Sequence, residues 1–225
     1  MSVSGKITRQ VRHWSGDFGR EYTDRNPQSV EEMEQLYVRN YGVSCRTLDE
    51  EFIGHLPRDA RILEVGSNVG MQLSILQEMG FRNLYGLELQ RYAVELSKRR
   101  TQDIDIIQGS VLDIPFRDRY FDLVFTFGLL GLISPDDLAQ ATSEVHRCTR
   151  QYIFGFECFS DPPTEVVYRG ESRLLWRRDF ASFFVDAFSD VELVKERTLG
   201  YVEHDNANDH GDAVDQMYLL ERVDT

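Results

Sequence analysis

The chain has 225 residues, a formal net charge of −13 and 41% hydrophobic residues. That length is ample for a full core, and an acidic balance with no basic tract excludes non-specific nucleic-acid binding by charge neutralisation. No apolar run approaches the roughly 20 residues of a membrane span, Met1 to Gln10 lack a signal-peptide core, and Cys45, Cys148 and Cys158 are scattered without metal spacing, so a cytoplasmic protein with reduced thiols is expected.

Residues 1–28 are polar with aromatic punctuation, Trp14, Phe18 and Tyr22, and Gly16 and Gly19 argue against a stable helix. Such aromatics need a surface, either the mouth of a ligand site or a sheet edge or partner subunit. Ser29-Val30-Glu31-Glu32 is a capping box, and Met33, Leu36, Tyr37 and Tyr41 follow at helical spacing. A second helix is predicted from about Cys45 to His55, ending before Pro57.

Ile62, Leu63 and Val65 then read as a buried strand that stops at Gly66, with Gly70 beyond it and Leu73, Leu76 and Met79 at helical spacing. Strand, glycine turn and helix together let a ligand approach bare backbone beside a helix N-terminus. The turn lacks the Gly-x-Gly-x-x-Gly spacing of a pyrophosphate site, and Glu64 lies two residues before it. A carboxylate there repels a diphosphate and attracts a cation. Asn83 to Leu87 reads as a second strand ending at Glu88, an acid about 20 residues past the first glycine, where one carboxylate can accept from both hydroxyls of a ribose. The plainer role for Glu88 is an acid at the start of the helix from Gln90 to Arg100.

Ile104 to Gln108 is a third strand, and Ser110 and Val111 after it offer an apolar slot with a polar edge for an adenine; Asp113 caps the turn before Pro115. Phe121 to Phe127 is nearly all apolar, as a strand buried on both faces requires. Ser134-Pro135-Asp136-Asp137 starts a helix with inner residues Leu138, Ala141, Val145 and Cys148. Tyr152 to Phe159 is a fifth strand. The segment Thr164 to Arg173 sits where an open sheet places a substrate lid, and Tyr168 and Arg169 lead a cluster with Arg173, Arg177 and Arg178. The cluster is either a solvated helix face or an anion site, since guanidinium forks bind carboxylate and phosphate bidentately. Asp179 to Phe188 is an aromatic-rich helix, and Val191 to Tyr201 and Val214 to Arg222 are two last strands. Between them, residues 203–212 hold His204 and His210 among carboxylates; a polar hairpin loop is expected, with a metal site or a general base as alternatives and no metal assigned.

Leu63-Glu64-Val65-Gly66-Ser67-Asn68-Val69-Gly70, Gly86-Leu87-Glu88 and Phe121-Asp122-Leu123-Val124 together resemble the class I S-adenosylmethionine (SAM)-dependent methyltransferases over about residues 45–160. More loosely, Trp14, Asp17-Phe18-Gly19, Tyr22, Arg25-Asn26, Tyr168-Arg169-Gly170 and Arg177-Arg178-Asp179-Phe180 resemble the methyltransferases associated with pseudaminic acid biosynthesis. The resemblance implies an α/β fold: a Rossmann-like sheet of seven strands with the last antiparallel, helices on both faces and an N-terminal helical extension. Residues 1–56 form an arm and helices over the cofactor site, and 57–225 the SAM-binding domain with a substrate lid at about 160–180. Gly66, Asn68 and Gly70 then line the methionine part of SAM, Glu88 the ribose, and Ser110 and Val111 the adenine. Glu64, Trp14, Tyr22, Arg25, Leu89 and Phe127 complete the expected cofactor wall. SAM suits the two acids, because it carries an ammonium and a sulfonium and no phosphate.

The expected activity is methyl transfer to a small, anionic acceptor, a sugar-linked or natural-product intermediate, leaving S-adenosylhomocysteine; oxygen is favoured over nitrogen. Tyr168, Arg169, Arg177 and Arg178 are the expected acceptor-binding residues. Related enzymes often carry histidine after the fourth strand, where this chain has Gly128-Leu129-Leu130-Gly131-Leu132. The base is therefore sought among His204, His210, Glu157 and Asp179. The expected partner is a small-molecule substrate, with no nucleic acid or membrane, and the chain is a monomer or homodimer. A non-catalytic methyltransferase-like binding subunit and, behind it, a nicotinamide-dependent reductase are the competing readings. The missing third glycine and the absence of a Tyr-x-x-x-Lys pair weigh against the reductase.

Overall fold

The computed structural model of the chain describes residues 7–202 and 213–223. Four helices come first: α1 (Arg9–Ser15), α2 (Asp17–Arg25), α3 (Val30–Tyr41) and α4 (Cys45–Ile53). The first two correct the expectation of a non-helical arm. Thr8 caps α1 by accepting from the Val11 N–H, and Gly16 ends it, its N–H turning back to the His13 carbonyl at 3.3 Å. Gly19 sits inside α2, where a Cβ would lie 1.8 Å from the Trp14 carbonyl oxygen. It is therefore a contact glycine that lets α2 close on α1, and not a helix breaker. In the capping box, Ser29 accepts from the Glu32 N–H at 3.2 Å, and the Glu32 carboxylate accepts from the Gln28 N–H at 2.7 Å.

The sheet begins with β1 (Arg61–Val65), which sends Ile62 to one buried face and Leu63 and Val65 to the other. Around it lie β2 (Asn83–Glu88), β3 (Asp105–Gln108), β4 (Phe121–Phe127), β5 (Thr149–Phe159), β8 (Val191–Gly200) and β9 (Val214–Arg222), in the order β3-β2-β1-β4-β5-β9-β8. The first five are parallel, and β9 runs antiparallel to both of its neighbours. This is the expected seven-stranded sheet. α4 and α5 (Met71–Glu78) cover one face through Phe52, Leu73 and Leu76. α7 (Pro135–Cys148) and α8 (Phe180–Ala187) cover the other through Leu138, Val145 and Phe184. α6 (Arg91–Arg100) follows β2. In β9, Met217 and Leu219 join the first core and Tyr218 and Leu220 the second, as their alternation requires. No helix among the described residues is long and apolar enough to cross a membrane.

The segment expected to be a lid is a β-hairpin, β6 (Thr164–Tyr168) and β7 (Glu171–Arg177), paired only to itself. It meets the N-terminal helices: Tyr168 packs on Trp14 and Phe18 at ring-centroid distances of 6.5 and 6.3 Å. The Gln10 amide donates to the Arg173 carbonyl at 3.1 Å. Two segments far apart in sequence thus join above the carboxyl ends of the parallel strands.

After β4, Gly128 turns the chain with φ +62°, and Leu130–Leu132 form one 3-10 turn. Glu157 of β5 holds this turn from below, accepting the N–H groups of Leu129, Leu130 and Gly131 at 3.2, 3.0 and 3.4 Å. Burial pushes its carboxyl up to about 7, against the opposing pull of the backbone donors and the Thr126 hydroxyl.

Two outcomes are expected. Gly19→Ala forces α1 and α2 apart and lowers stability by roughly 1–3 kcal/mol, read as a drop in Tm. Glu157 binds its proton more tightly folded than unfolded, so its stabilisation is complete below the ordinary carboxylate range and lost as pH rises through about 7. Glu157→Gln therefore flattens part of the stability loss between about pH 5 and about pH 8, measured by denaturant unfolding.

Candidate active site

The turn after β1 is built by backbone. Gly66, with φ +83°, and Ser67 both donate their N–H to the Leu87 carbonyl, at 2.7 and 3.1 Å. A Cβ on Gly66 would come within 3.0 Å of Leu129, so any side chain there crowds the turn after β4. Asn68, with φ +46°, donates its N–H to Glu88 Oε2 at 2.8 Å, and Gln90 donates to Oε1 at 2.6 Å. Glu88 thereby ties the glycine turn to the start of α6, while each oxygen keeps a lone pair for a ligand hydroxyl. Gly70, φ +82°, precedes α5.

Above these strand ends lies a cavity of about 350 Å³. Of the residues expected at the cofactor, Trp14, Tyr22, Glu64, Gly66, Asn68 and Glu88 line it, as do Leu89, Ser110, Val111 and Phe127. Gly70 lies outside the lining, and Arg25 lines a second, larger cavity instead. Glu64 is 4% exposed, and its Oε2 has no hydrogen-bond partner among the described residues; the same holds for Asn68 Oδ1 and Trp14 Nε1. Burial, then the nearby Glu88 and Asp49 carboxylates, raise the Glu64 carboxyl well above its usual range. Burial also raises Glu88, partly offset by the N–H groups of Gln90, Asn68 and Leu89. A buried acid with an unanswered oxygen and a half-buried one held by backbone suit a ligand with a positive charge at one end and vicinal hydroxyls at the other. SAM fits that donor set on this evidence.

The larger cavity, about 1040 Å³, adjoins the first and shares with it Tyr22, Asn26, Leu36, Gly128, Cys158 and Asp215. Tyr168, Arg169 and Arg177 line it, joined by Arg25 and Arg39. Arg178 stands apart, its guanidinium 4.8 Å from the centre of the Phe183 ring. Asp179 caps α8, accepting from the Ser182 N–H and hydroxyl at 2.9 and 2.8 Å, and lies outside both linings. Glu157 lines the smaller cavity with its carboxylate engaged by the turn after β4. His204 and His210 lie outside the described residues. Among the described residues no group of three or more His, Cys, Asp or Glu is placed to hold a metal.

The reading by residue type missed Arg39, Tyr41, Tyr201 and Asp215. Arg39 was accessible from spacing: Glu32, Gln35, Leu36, Arg39 and Asn40 form one stripe of α3, and all line the larger cavity. Asp215, at the start of a strand beyond a long loop, carried no local signal.

Residues 63–152 match a family model described as a methyltransferase domain. A demethylmenaquinone methyltransferase of Renibacterium salmoninarum is 30% identical over 106 residues, 47% of this chain and 43% of that protein. The chain thus spans less than half the length of this curated relative. The Burkholderia thailandensis 1,6-didemethyltoxoflavin-N1-methyltransferase, solved with 1,6-didemethyltoxoflavin and S-adenosylhomocysteine, superposes with a TM-score of 0.69 at 18% identity, covering 99% of this chain and 94% of that one. The PH0226 protein of Pyrococcus horikoshii gives 0.62 at 13% identity, covering 97% and 100%. Residues 63–152 thus match a methyltransferase domain, and a neighbour of the same fold holds S-adenosylhomocysteine. The sheet, its glycine turn and the matched segment are those of the class I SAM-dependent methyltransferase fold.

Proposed function

We propose that the chain is a SAM-dependent methyltransferase acting on a small acceptor that carries an acidic group, of the sugar-linked or natural-product kind, at oxygen in preference to nitrogen. The observation that carries this reading is the pair of acids beside the glycine turn, Glu64 buried and Glu88 half-buried. Glu64 has an unanswered oxygen, and Glu88 is held at the far side by two backbone N–H groups. A diphosphate cofactor would meet the Glu64 carboxyl there, which disfavours the nicotinamide reading; Glu88 suits the ribose of either cofactor.

When bound, SAM supplies a methyl carbon on a positively charged sulfur, open to in-line displacement. The residues of this chain do the rest. Glu64 answers positive charge, Glu88 accepts ribose hydroxyls, and Ser110 and Val111 flank the adenine. Trp14 and Tyr22 from the N-terminal helices, with Tyr168 of the hairpin, cover the site and exclude water. Arg169 and Arg177 supply the positive field that favours an acidic acceptor in a chain of net charge −13.

Titration calorimetry with SAM tests the reading. Glu88→Ala weakens binding at least about tenfold; unchanged affinity removes the ribose role. Glu64 is held protonated by burial and must ionise to meet a cation, so SAM affinity rises, with proton release, as pH climbs above the ordinary carboxylate range. Glu64→Gln abolishes that slope. Transfer of labelled methyl to the small-molecule fraction of a cell extract separates an enzyme from a SAM-binding subunit.

A further inference from the structure

Asp215, the second residue of β9, stands opposite Cys158 of β5 and Leu199 of β8 and is 5% exposed. Because β9 is antiparallel, its beginning lies at the carboxyl ends of the parallel strands, on the wall shared by the two cavities. Two hydroxyls converge on one of its oxygens. Tyr41 of α3 donates to Oδ2 at 2.5 Å, and Tyr201, just past β8, donates to the same atom at 2.7 Å. Tyr41 lines the smaller cavity and Tyr201 the larger. Burial raises both phenols far above their usual range, so both remain donors and the carboxylate is the acceptor.

The larger cavity is lined by four guanidiniums against two carboxylates, Asp215 and Glu32. Arg25 reaches Glu21 at 3.7 Å, whereas Arg39, Arg169 and Arg177 have no ion-pair partner among the described residues. Unanswered guanidiniums suit a carboxylate or phosphate. With the arginines along the cavity and one acid at the wall toward the cofactor side, an acceptor enters with a fixed polarity: its acidic group at the arginines, its reacting group at Asp215.

We infer that the larger cavity is the acceptor site, that Arg39 and Arg177 hold the acceptor's acidic group, and that Asp215 takes the proton from an acceptor hydroxyl. The proposal rests on the methyltransferase reading above and adds to it the acceptor class and the base. An amine beside an ionised carboxylate is held as an ammonium with no lone pair to give; a hydroxyl surrenders its proton to it. In the transfer the acceptor O–H bond breaks and its proton passes to the Asp215 carboxylate. The oxygen pair forms the new O–C bond, and the electrons of the broken C–S bond remain on sulfur as a neutral thioether. Tyr41 and Tyr201 fix the carboxylate and are positioning residues.

Inorganic phosphate is the first probe, read by quenching of Trp14 and Trp176, the chain's two tryptophans. Saturable binding that weakens at least about tenfold in an Arg39→Ala/Arg177→Ala variant is expected. No saturable binding, or equal affinity in the variant, overturns the anion role. The second measurement compares Asp215→Asn with the wild type. SAM affinity within about twofold, with labelled-methyl transfer to the extract reduced at least roughly 100-fold and the product methyl on oxygen by carbon chemical shift, is expected. Wild-type transfer by Asp215→Asn, or a product methylated on nitrogen, overturns the base. Tyr201→Phe keeps the carboxylate and guards against a folding artefact, retaining transfer within about tenfold of wild type; a loss equal to that of Asp215→Asn, with SAM binding intact, overturns the assignment of the proton to Asp215. A wild-type protein that binds SAM but labels nothing removes the enzymatic reading itself, an outcome distinct from these.

Discussion

One carboxylate organises the cofactor end of this molecule. Glu88 closes β2, yet its two oxygens are fastened to backbone on either side, to Asn68 in the glycine turn and to Gln90 at the mouth of α6. Through these bonds the turn after β1 and the turn after β2 become one rigid rim. The rim needs φ +83° at Gly66 and room at that residue for the neighbouring turn. Removing the acid would therefore loosen two turns as well as delete a hydrogen-bond acceptor. Burial raises its carboxyl while backbone donors lower it, so the two effects oppose each other at this group.

Charge is distributed by function. The smaller cavity gathers Glu64 and Glu88, the larger one Arg25, Arg39, Arg169 and Arg177, and Asp215 stands on the wall between. In a chain with 38 acidic and 25 basic residues, four arginines around one hollow are a local reversal of sign. On the reading proposed above, a cationic nucleoside and an anionic acceptor would find complementary chambers, each disfavoured in the other's place.

The sheet was legible in the sequence because its signals are local. Buried strands with apolar residues on both faces, a glycine turn, and capped helices all leave marks within ten residues. α1 and α2 were not legible, because Gly19 serves a contact between helices that only tertiary structure reveals. The hairpin was hidden for a related reason: Thr164 to Arg177 form a strand pair hydrogen-bonded to itself that packs on α1 and α2. Residue type singled out Glu64 and Glu88, and both line one cavity. It gave Asp179 a chemical part where its hydrogen bonds make it a helix cap. It passed over Asp215, whose partners Tyr41 and Tyr201 come from separations of 174 and 14 residues.

The reversed direction of β9 has a wider consequence. A parallel strand contributes to the rim only by its end, but an antiparallel one contributes by its beginning, next to a connection free to vary in length. Here β1, β2 and the turn after β3 border only the smaller cavity and the hairpin only the larger one, while α3 and Asp215 of β9 border both. On the proposed reading, mutation in the hairpin can explore new acceptors while β1 and β2 keep the donor machinery intact, a division of labour that makes such a scaffold readily diversified.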